Sequence, residues 1–345
     1  MEKQVRGWTL GELASLLDGE LSGPADIPIT HAAPAGSGDG QALTYAGDDK
    51  HLALAEISEV GAILVVAGVS CAKPSIRVAS PKVAFGRFLA MCSRQLPLQK
   101  GIHETAVVDQ RAHIASSASV GAYAVVEKGA VIGENCRVYP FCYVGENCSL
   151  AEGVTLYPHV VLYQDVQIGA RSVIHAGTIL GADGFGFVWD GERHQKMPQV
   201  GAVVIGADCE VGALSAIDRA TMEQTSVGDD TKIDNMVQVG HNTHIGEHVI
   251  LASGVGISGS SVVGDRVKMA GMVGVGDHVT IADDVTIAAR SATTTDVPKA
   301  GVYMGFPLRP LMEDQRLSIL YGRLPDMAKR IQELERRIAE LEFKG

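Results

Sequence analysis

The stretch Val120-Gly-Ala-Tyr-Ala-Val-Val126-Glu-Lys-Gly-Ala-Val-Ile132-Gly-Glu-Asn-Cys-Arg-Val138-Tyr-Pro-Phe-Cys-Tyr-Val144-Gly-Glu-Asn-Cys-Ser-Leu150 sets an aliphatic residue at every sixth position. Four residues after each aliphatic stands a small one: Ala124, Ala130, Cys136, Cys142 and Cys148. A helix spaces its apolar face at 3.6 residues and a long strand at two, so neither accounts for a period of six. Two inward positions per hexad fit a short strand and a corner, with three such units closing a coil of 18 residues. Coils of this kind stack as a parallel β-helix, each burying its apolar surface on its neighbours.

Outward from this stretch, the period runs from Ile102 to Leu180 and resumes at Ile205, Val211 and Ile217. After a slip of four residues it continues from Val227 to Ile287, making 28 hexads in all. Stacked at about 4.8 Å, roughly nine coils give a prism near 45 Å long. The composition has the same cause. Forty glycines and only 5% aromatic residues suit a narrow interior with tight corners. Glycine often follows the aliphatic, as at Gly121, Gly145 and Gly240, and is expected to supply corner conformations that a Cβ forbids. Cys136, Cys142, Cys148 and Cys209 hold the small inward position, so their spacing reads as core packing rather than a metal or disulfide set. Cys71 and Cys92 lie outside the repeat.

Residues 1–100 lack the period. Thr9 with Glu12 three residues on is a helix-capping pair, Gly36 to Gly40 is a loop, and Gly61 to Ala67 reads as a buried strand. A further helix is expected from Val83 to Arg94, ending near Pro97. The domain plan is therefore a small α/β domain over 1–100, a β-helix over 101–305 with a loop insertion at 181–204, and a helical segment over 306–345. In that last segment Met327, Ile331, Leu334, Ile338 and Leu341 form a heptad seam, expected to pack on itself or on neighbouring chains. A formal net charge of −11 weighs against nucleic-acid binding, where basic surface supplies most of the affinity. The longest apolar run, Val60 to Val69, is half of a membrane span of about 20 residues, and the first residues lack the apolar core of a signal peptide. A soluble cytoplasmic protein with no transmembrane segment is expected.

His241, in Gln238-Val-Gly-His-Asn242, falls near a corner with its side chain outward. One coil on, the equivalent position is Gly259; two coils on it is Asp277, followed by His278. These residues form a column about 10 Å tall on one edge. A base, a sterically open backbone N–H and a second polar pair can support acyl transfer, although a solvated corner histidine has the same spacing. His244 and His248 would suggest a metal pair on a helix, but a six-residue coil need not converge them and no third ligand shares their phase. No metal is expected. His159 and His175 have no supporting constellation and read as exposed or structural. The loop opening Gly181-Ala-Asp-Gly-Phe-Gly-Phe187 and containing Trp189 and His194 is a candidate binding element.

The hexapeptide period resembles the left-handed β-helix acyltransferases; the handedness comes from that resemblance, because parallel crossovers are right-handed as a rule. The N-terminal α/β domain, the prism, the Gly181–Phe187 loop, the motif from Ile233 to Asn242, Gly301-Val-Tyr303 with Pro307, and the terminal helical segment together resemble the UDP-3-O-(3-hydroxyacyl)glucosamine N-acyltransferase family of lipid A synthesis. The resemblance covers essentially the whole chain. It implies a mainly β fold, a left-handed parallel β-helix prism with a small α/β domain and C-terminal helices. It also implies a homotrimer with active sites between neighbouring prisms. The reaction it implies moves a (R)-3-hydroxyacyl chain from acyl carrier protein, whose 4′-phosphopantetheine thioester is the donor and which leaves no other cofactor to require, to the 2-amino group of a UDP-sugar.

Carried over by position, the resemblance makes His241 the general base, Gly259 the oxyanion donor through its N–H, and His278 a second histidine of the site. It makes Asp234, Asn235 and Gln238 groups that orient base or substrate. In the family a Phe, an Asn and a Tyr spaced by three hold uracil; here those positions read Tyr45, Asp48 and His51. Tyr45 and His51 can still stack, but Asp48 lacks the amide donor. Arg290, Lys299, Arg309, Arg316 and Arg323 are candidates for meeting the acidic carrier protein, and Ala292 and Thr294 leave room for a longer chain at the expected end of the acyl groove. Three alternatives share parts of this pattern: an O-acyltransferase on UDP-N-acetylglucosamine, which lacks the 1–100 domain, a trimeric zinc carbonic anhydrase, which needs three converging histidines, and a non-catalytic β-helix binding scaffold.

Overall fold

Local chemistry accounts for the elements of the first hundred residues. In a computed structural model describing residues 7–94 and 96–342, the chain divides into two compact units, Met1–Pro97 and Leu98–Gly345. Helix α1 (Leu10–Leu16) opens on a full capping box: the Glu12 N–H donates to Thr9 Oγ1 at 3.2 Å and the Thr9 N–H to Glu12 Oε2 at 2.7 Å. Helix α2 spans Asp49–Ile57, and helix α3 spans Pro81–Cys92. Helix α3 begins two residues before the sequence suggests, because Ser80 caps it and Pro81 fits its first turn. The helices pack on a five-stranded sheet, ordered Glu20–Ser22, Ser75–Val78, Ala62–Val66, Ala42–Tyr45, His31–Ala32. Only the first pair is antiparallel. Its core holds Leu10, Leu13, Leu43, Leu64, Ile76 and Phe88.

The second unit is a prism with faces of 12, 10 and 9 strands. On each face a strand pairs in parallel with the strand 18 residues on: Ser119 with Arg137 on the first, Val125 with Tyr143 on the second, Val131 with Ser149 on the third. Both positions of the hexad are inward. Val120, Val138 and Leu156 are fully buried, as are Ala124, Cys142 and Val160 four residues after an aliphatic. Where the small position is polar, its hydroxyl donates to a corner carbonyl of the next coil: Ser172 to Gly206 at 2.8 Å, Thr178 to Gly212 at 2.7 Å, Ser261 to Gly276 at 2.9 Å. The four cysteines follow the same rule, with Cys142 Sγ 3.1 Å from the Tyr157 carbonyl and Cys148 Sγ 2.9 Å from that of Tyr163. All four are free thiols.

The expected reason for the corner glycines needs correction. Many corners take their left-handed conformation at a non-glycine residue, including Tyr123 (φ 58°), Met236 (57°) and His278 (56°). The glycine just after the aliphatic serves the stacking instead: a Cβ at Gly145 would stand 2.8 Å from the Leu162 carbonyl oxygen of the next coil.

The three edges of the prism differ chemically. The edge between first and second faces is rich in apolar residues, with Tyr123, Phe141, Leu214, Met236 and Met272 exposed on different coils of the same edge. Tyr123, Phe141 and His159 stack there with ring centroids 5.3 and 5.0 Å apart. The edge between third and first faces is polar, with Arg171 paired to Asp208, His248 beside Asp230, and Arg266 paired to Asp284. The edge between second and third faces carries both departures from the period. Gln167 pairs with Val204, 37 residues on, and Ala216 with Gln238, 22 residues on, so 19 and four extra residues leave the lattice there. After the prism, one helix α4 (Leu311–Glu342) runs through Pro325, where the sequence suggests several helices. Its seam residues Met327, Ile331, Leu334, Ile338 and Leu341 are exposed in the single chain. Among the described residues, no helix is long and apolar enough to cross a membrane.

Candidate active site

His241 sits on the edge that carries both insertions. Val239 before it and Thr243 after it point into the core, which turns the intervening His241 outward and leaves it half-buried. Asn242 takes the left-handed corner conformation (φ 58°) and is held from three directions. Its N–H donates to Thr225 Oγ1 at 2.9 Å, its Nδ2 donates to the Met222 carbonyl at 3.0 Å, and its Oδ1 accepts the Thr221 N–H at 2.9 Å. With the amide oriented this way, the Oδ1 that lies 3.1 Å from His241 Nδ1 must accept a proton from it. In the neutral imidazole the proton therefore resides on Nδ1, and Nε2 is the nitrogen left to accept one from the cavity. Thr221 and Met222 belong to the four-residue slip and Thr225 to the strand Gln224–Val227 that follows it, so the slip helps to orient the amide that faces the histidine.

Gly259 stands one coil on. A Cβ there would lie 2.7 Å from His241 Nε2, so only glycine leaves the imidazole face open. Some corner amides are capped by a side chain of the next coil and others are not; the Gly259 N–H is of the second kind. The equivalent amides of Ala207, Ala213, Glu247 and Asp265 are capped at 2.7–2.9 Å by Asp229, Asn235, Asp265 and Asp283 from the next coil. The Gly259 N–H has no partner among the described residues. An uncapped amide beside an imidazole lone pair is a donor available to an incoming oxygen.

The 19-residue insertion closes over this point. Gly184 packs so tightly on the histidine that a Cβ would lie 2.5 Å from His241 Cβ. Its root is fixed by the buried Arg219, whose Nε donates to the Gly181 carbonyl at 2.8 Å and whose Nη2 donates to that of Gln164 at 2.7 Å. Buried Gln199 ties the far end of the loop to Thr221, accepting its hydroxyl at 2.9 Å. Exposed Phe185 and Phe187 meet edge to face, 5.3 Å apart. Lys196 pairs with Asp183. The resulting cavity of ≈ 980 Å³ has His241, Gly259, His278, Gln238 and Asp218 in its wall, and continues to Ala292, Thr294 and Phe306.

Four of the sequence-derived residues, His241, Gly259, His278 and Gln238, thus share one cavity within a single chain. Asp234 and Asn235 do not join them. They lie one corner earlier, in a separate groove of ≈ 520 Å³, and bond to the backbone. Asn235 Oδ1 accepts the Ala213 N–H at 2.7 Å, and Asp234 accepts the N–H groups of Asn235 at 2.7 Å and Ser253 at 3.1 Å. Asp218, Asn242, Gly184 and Lys196 are site residues that the sequence reading did not assign. The interrupted period was the available signal for three of them. Asn242 stood beside His241 without a role.

In the first unit, Tyr45 and His51 line a cavity of ≈ 410 Å³ with Phe85, whose ring is 4.9 Å from that of Tyr45. Asp48 is not in its wall. It is the N-cap of α2, and its Oδ1 lies 2.8 Å from both the His51 N–H and the ring Nδ1. Those hydrogen bonds hold its carboxyl below the ordinary range. Among the proposed carrier-protein contacts, Arg309 is paired with Asp314 at 3.7 Å, while Arg290, Lys299, Arg316 and Arg323 are exposed. His244 and His248 diverge, His244 toward Ser226 at 2.8 Å and His248 toward Asp230 at 2.9 Å.

Segments 111–146, 123–158 and 224–259 match the bacterial transferase hexapeptide (six repeats). Over 341 residues, 98% of this chain and 97% of its relative, the sequence is 42% identical to the UDP-3-O-acylglucosamine N-acyltransferase of Pseudomonas paraeruginosa. The chain belongs to the UDP-3-O-acylglucosamine N-acyltransferase family. A family member from Coxiella burnetii is 37% identical over 335 residues, spanning 96% of this chain and 98% of that one. Among solved structures, the UDP-N-acetylglucosamine acyltransferase of Arabidopsis superposes with a TM-score of 0.55 at 26% identity, over 63% of this chain and 76% of that one. The prism is a left-handed parallel β-helix of the acyltransferase type, as the resemblance to that family implies.

Proposed function

We propose that the protein transfers a (R)-3-hydroxyacyl chain from the 4′-phosphopantetheine thioester of acyl carrier protein to the 2-amino group of UDP-3-O-(3-hydroxyacyl)glucosamine, forming the diacylated UDP-sugar precursor of lipid A. One observation carries the reading: Nε2 of His241, the accepting nitrogen of its neutral form, stands beside the uncapped N–H of Gly259. His241 takes a proton from the sugar nitrogen as that nitrogen attacks the thioester carbonyl. The N–C bond forms, the carbonyl oxygen becomes an oxyanion on the Gly259 N–H, and the C–S bond then breaks. The proton on His241 passes to the departing thiolate. General-base catalysis contributes about 10²–10⁴ in rate. His278, whose N–H donates to the Gly259 carbonyl at 3.1 Å, stands at the outer side of the same cavity.

A homotrimer fits the exposed apolar edge from Tyr123 to Met272 and the exposed heptad seam of α4, since contiguous apolar surface of this extent marks an association face. Uridine recognition fits the cavity of Tyr45, Phe85 and His51 in the first unit, with Asp48 engaged in its helix cap. Exposed cations at Arg290, Lys299, Arg316 and Arg323 suit an acidic carrier protein. No resident metal or other cofactor is needed for the chemistry, and the cytoplasm, where acyl carrier protein resides, is the working compartment. The decisive experiment incubates the protein with UDP-3-O-acylglucosamine and a ladder of acyl carrier proteins of different chain lengths, and weighs the products. An N-acylated product is expected; its absence with every chain length would defeat the reading.

A further inference from the structure

The slip at 218–223 places a carboxylate in the cavity. In the regular prism, the position after Ile217 would begin a tight corner. Here the strand runs on through Arg219, and Asp218 pairs across to Ala182 of the preceding coil. On the other side, Ile217 pairs with Val239, so Asp218 is one strand spacing of about 4.8 Å from the Gly240–His241 corner. The strand is held straight by the buried guanidinium of the next residue, Arg219, which cannot leave its two carbonyls without stranding a charge. Asp218 is half-buried and lines the cavity with His241.

Three carboxylates line that cavity. Asp183 is neutralised by Lys196, and Asp277 is exposed to water. Asp218 has a neutral partner, the Gln238 Nε2 that donates to Oδ2 at 2.9 Å, and no cation paired to it among the described residues. Burial raises its carboxyl above the ordinary range, against the opposing pull of Gln238 and His241. Such a group gains when a cation enters beside it.

An amine acceptor differs from a hydroxyl acceptor in one respect that this arrangement can read: it arrives as a cation. We propose that Asp218 binds the substrate ammonium and, with Gln238 holding the carboxylate in place, directs one N–H toward His241 Nε2, so that Asp218 selects an amine over a hydroxyl. The inference rests on the N-acyltransferase reading. The ammonium first gives one proton through Nε2 to water; the pair left on nitrogen forms the N–C bond, a second N–H proton then passes to Nε2 and on to the departing thiolate, and Asp218 stays ionised throughout.

The test compares two ligands by calorimetry and kinetics: UDP-3-O-acylglucosamine, and the analogue with a hydroxyl in place of the 2-amino group. Asp218→Asn should weaken binding of the amine about 10–100-fold, the scale of a lost charge-assisted hydrogen bond. Binding of the hydroxyl analogue should stay within about twofold, and Asp218→Glu should restore part of the amine affinity. The hydroxyl analogue doubles as the check on folding. Equal losses for both ligands, or no loss for the amine, would overturn the role of Asp218 while leaving wild-type N-acylation intact. A wild-type protein that acylates no amine would remove the functional reading itself, and this inference with it.

Discussion

Gly259 leaves its Cβ position empty 2.7 Å from the Nε2 of His241, and its own N–H points to no protein partner. The first property follows from the missing side chain of Gly259, and the second from the lack of a capping bond from the next coil. Gly259→Ala should therefore displace the imidazole and obstruct the oxyanion position together. The expected loss is about 10²–10³ in kcat, in an otherwise folded protein. His241→Ala should cost about 10²–10⁴ while circular dichroism and oligomeric state are retained. Near-native turnover in either folded variant would show that the chemistry lies elsewhere.

Asn242 Oδ1 sets the tautomer of His241 from 3.1 Å. In Asn242→Asp a carboxylate replaces a neutral oxygen and favours the imidazolium, raising the histidine pKa. Because the base acts when neutral, the acidic limb of the kcat profile should move to higher pH. Activity should fall near pH 6 and persist at alkaline pH. A limb that does not move would mean that this side chain does not face Nδ1.

Burial pushes the Cys142 thiol up to about 12 and the Cys148 thiol up to about 11. In the unfolded chain both ionise near pH 8.5. Between those values the unfolded state binds fewer protons than the native one, so stability falls as pH rises through this window, by about 1.4 kcal/mol per pH unit for each thiol. Thermal melts from pH 8 to 10 should show that decline, and a Cys142→Ser/Cys148→Ser variant should flatten it. Serine is compatible with the lattice, since Ser172 and Ser215 hold equivalent positions and donate to carbonyls there. An identical slope in the variant would assign the decline to other groups.

Met236 and Met272 are each more than half exposed on the apolar edge. Glutamate at both positions should convert a trimer to monomers in sedimentation velocity without lowering helix or strand content. A variant that sediments as the wild type does would place the association surface on another edge or on α4.

Tyr45 lines the cavity of the first unit, while Asp48 caps α2. Loss of one base-stacking ring is worth about 1–3 kcal/mol, so Tyr45→Ala should weaken UDP binding roughly 10–100-fold by calorimetry. Asp48→Asn keeps the capping oxygen and should bind UDP with little change, whereas Asp48→Ala should lose about 1 kcal/mol of stability. Unchanged affinity in Tyr45→Ala would move the uridine site away from this cavity.

The column of His241, Gly259 and His278 was legible because a strict 18-residue coil converts sequence separation into vertical neighbourhood. The same arithmetic explains why Asp234 and Asn235 fall outside it. Six residues carry the chain to the next edge, so residues close in sequence to His241 occupy a different corner. Asp218 and the supports of Asn242 were hidden for the converse reason: four extra residues broke the phase, and no period says where an unphased segment puts its side chains. The heptad seam of α4 was visible as a pattern, but its exposure was not.

The sequence by itself determined the prism, its inward lattice of aliphatic, hydroxyl and thiol groups, and the family, because each of these is written in a period or in a contiguous motif. Tertiary structure decided which nitrogen of His241 carries the proton, which carboxylate enters the cavity, and that the corner glycines make room for the next coil. Those outcomes depend on contacts between coils, where a few tenths of an ångström and the direction of one amide determine what a side chain can do.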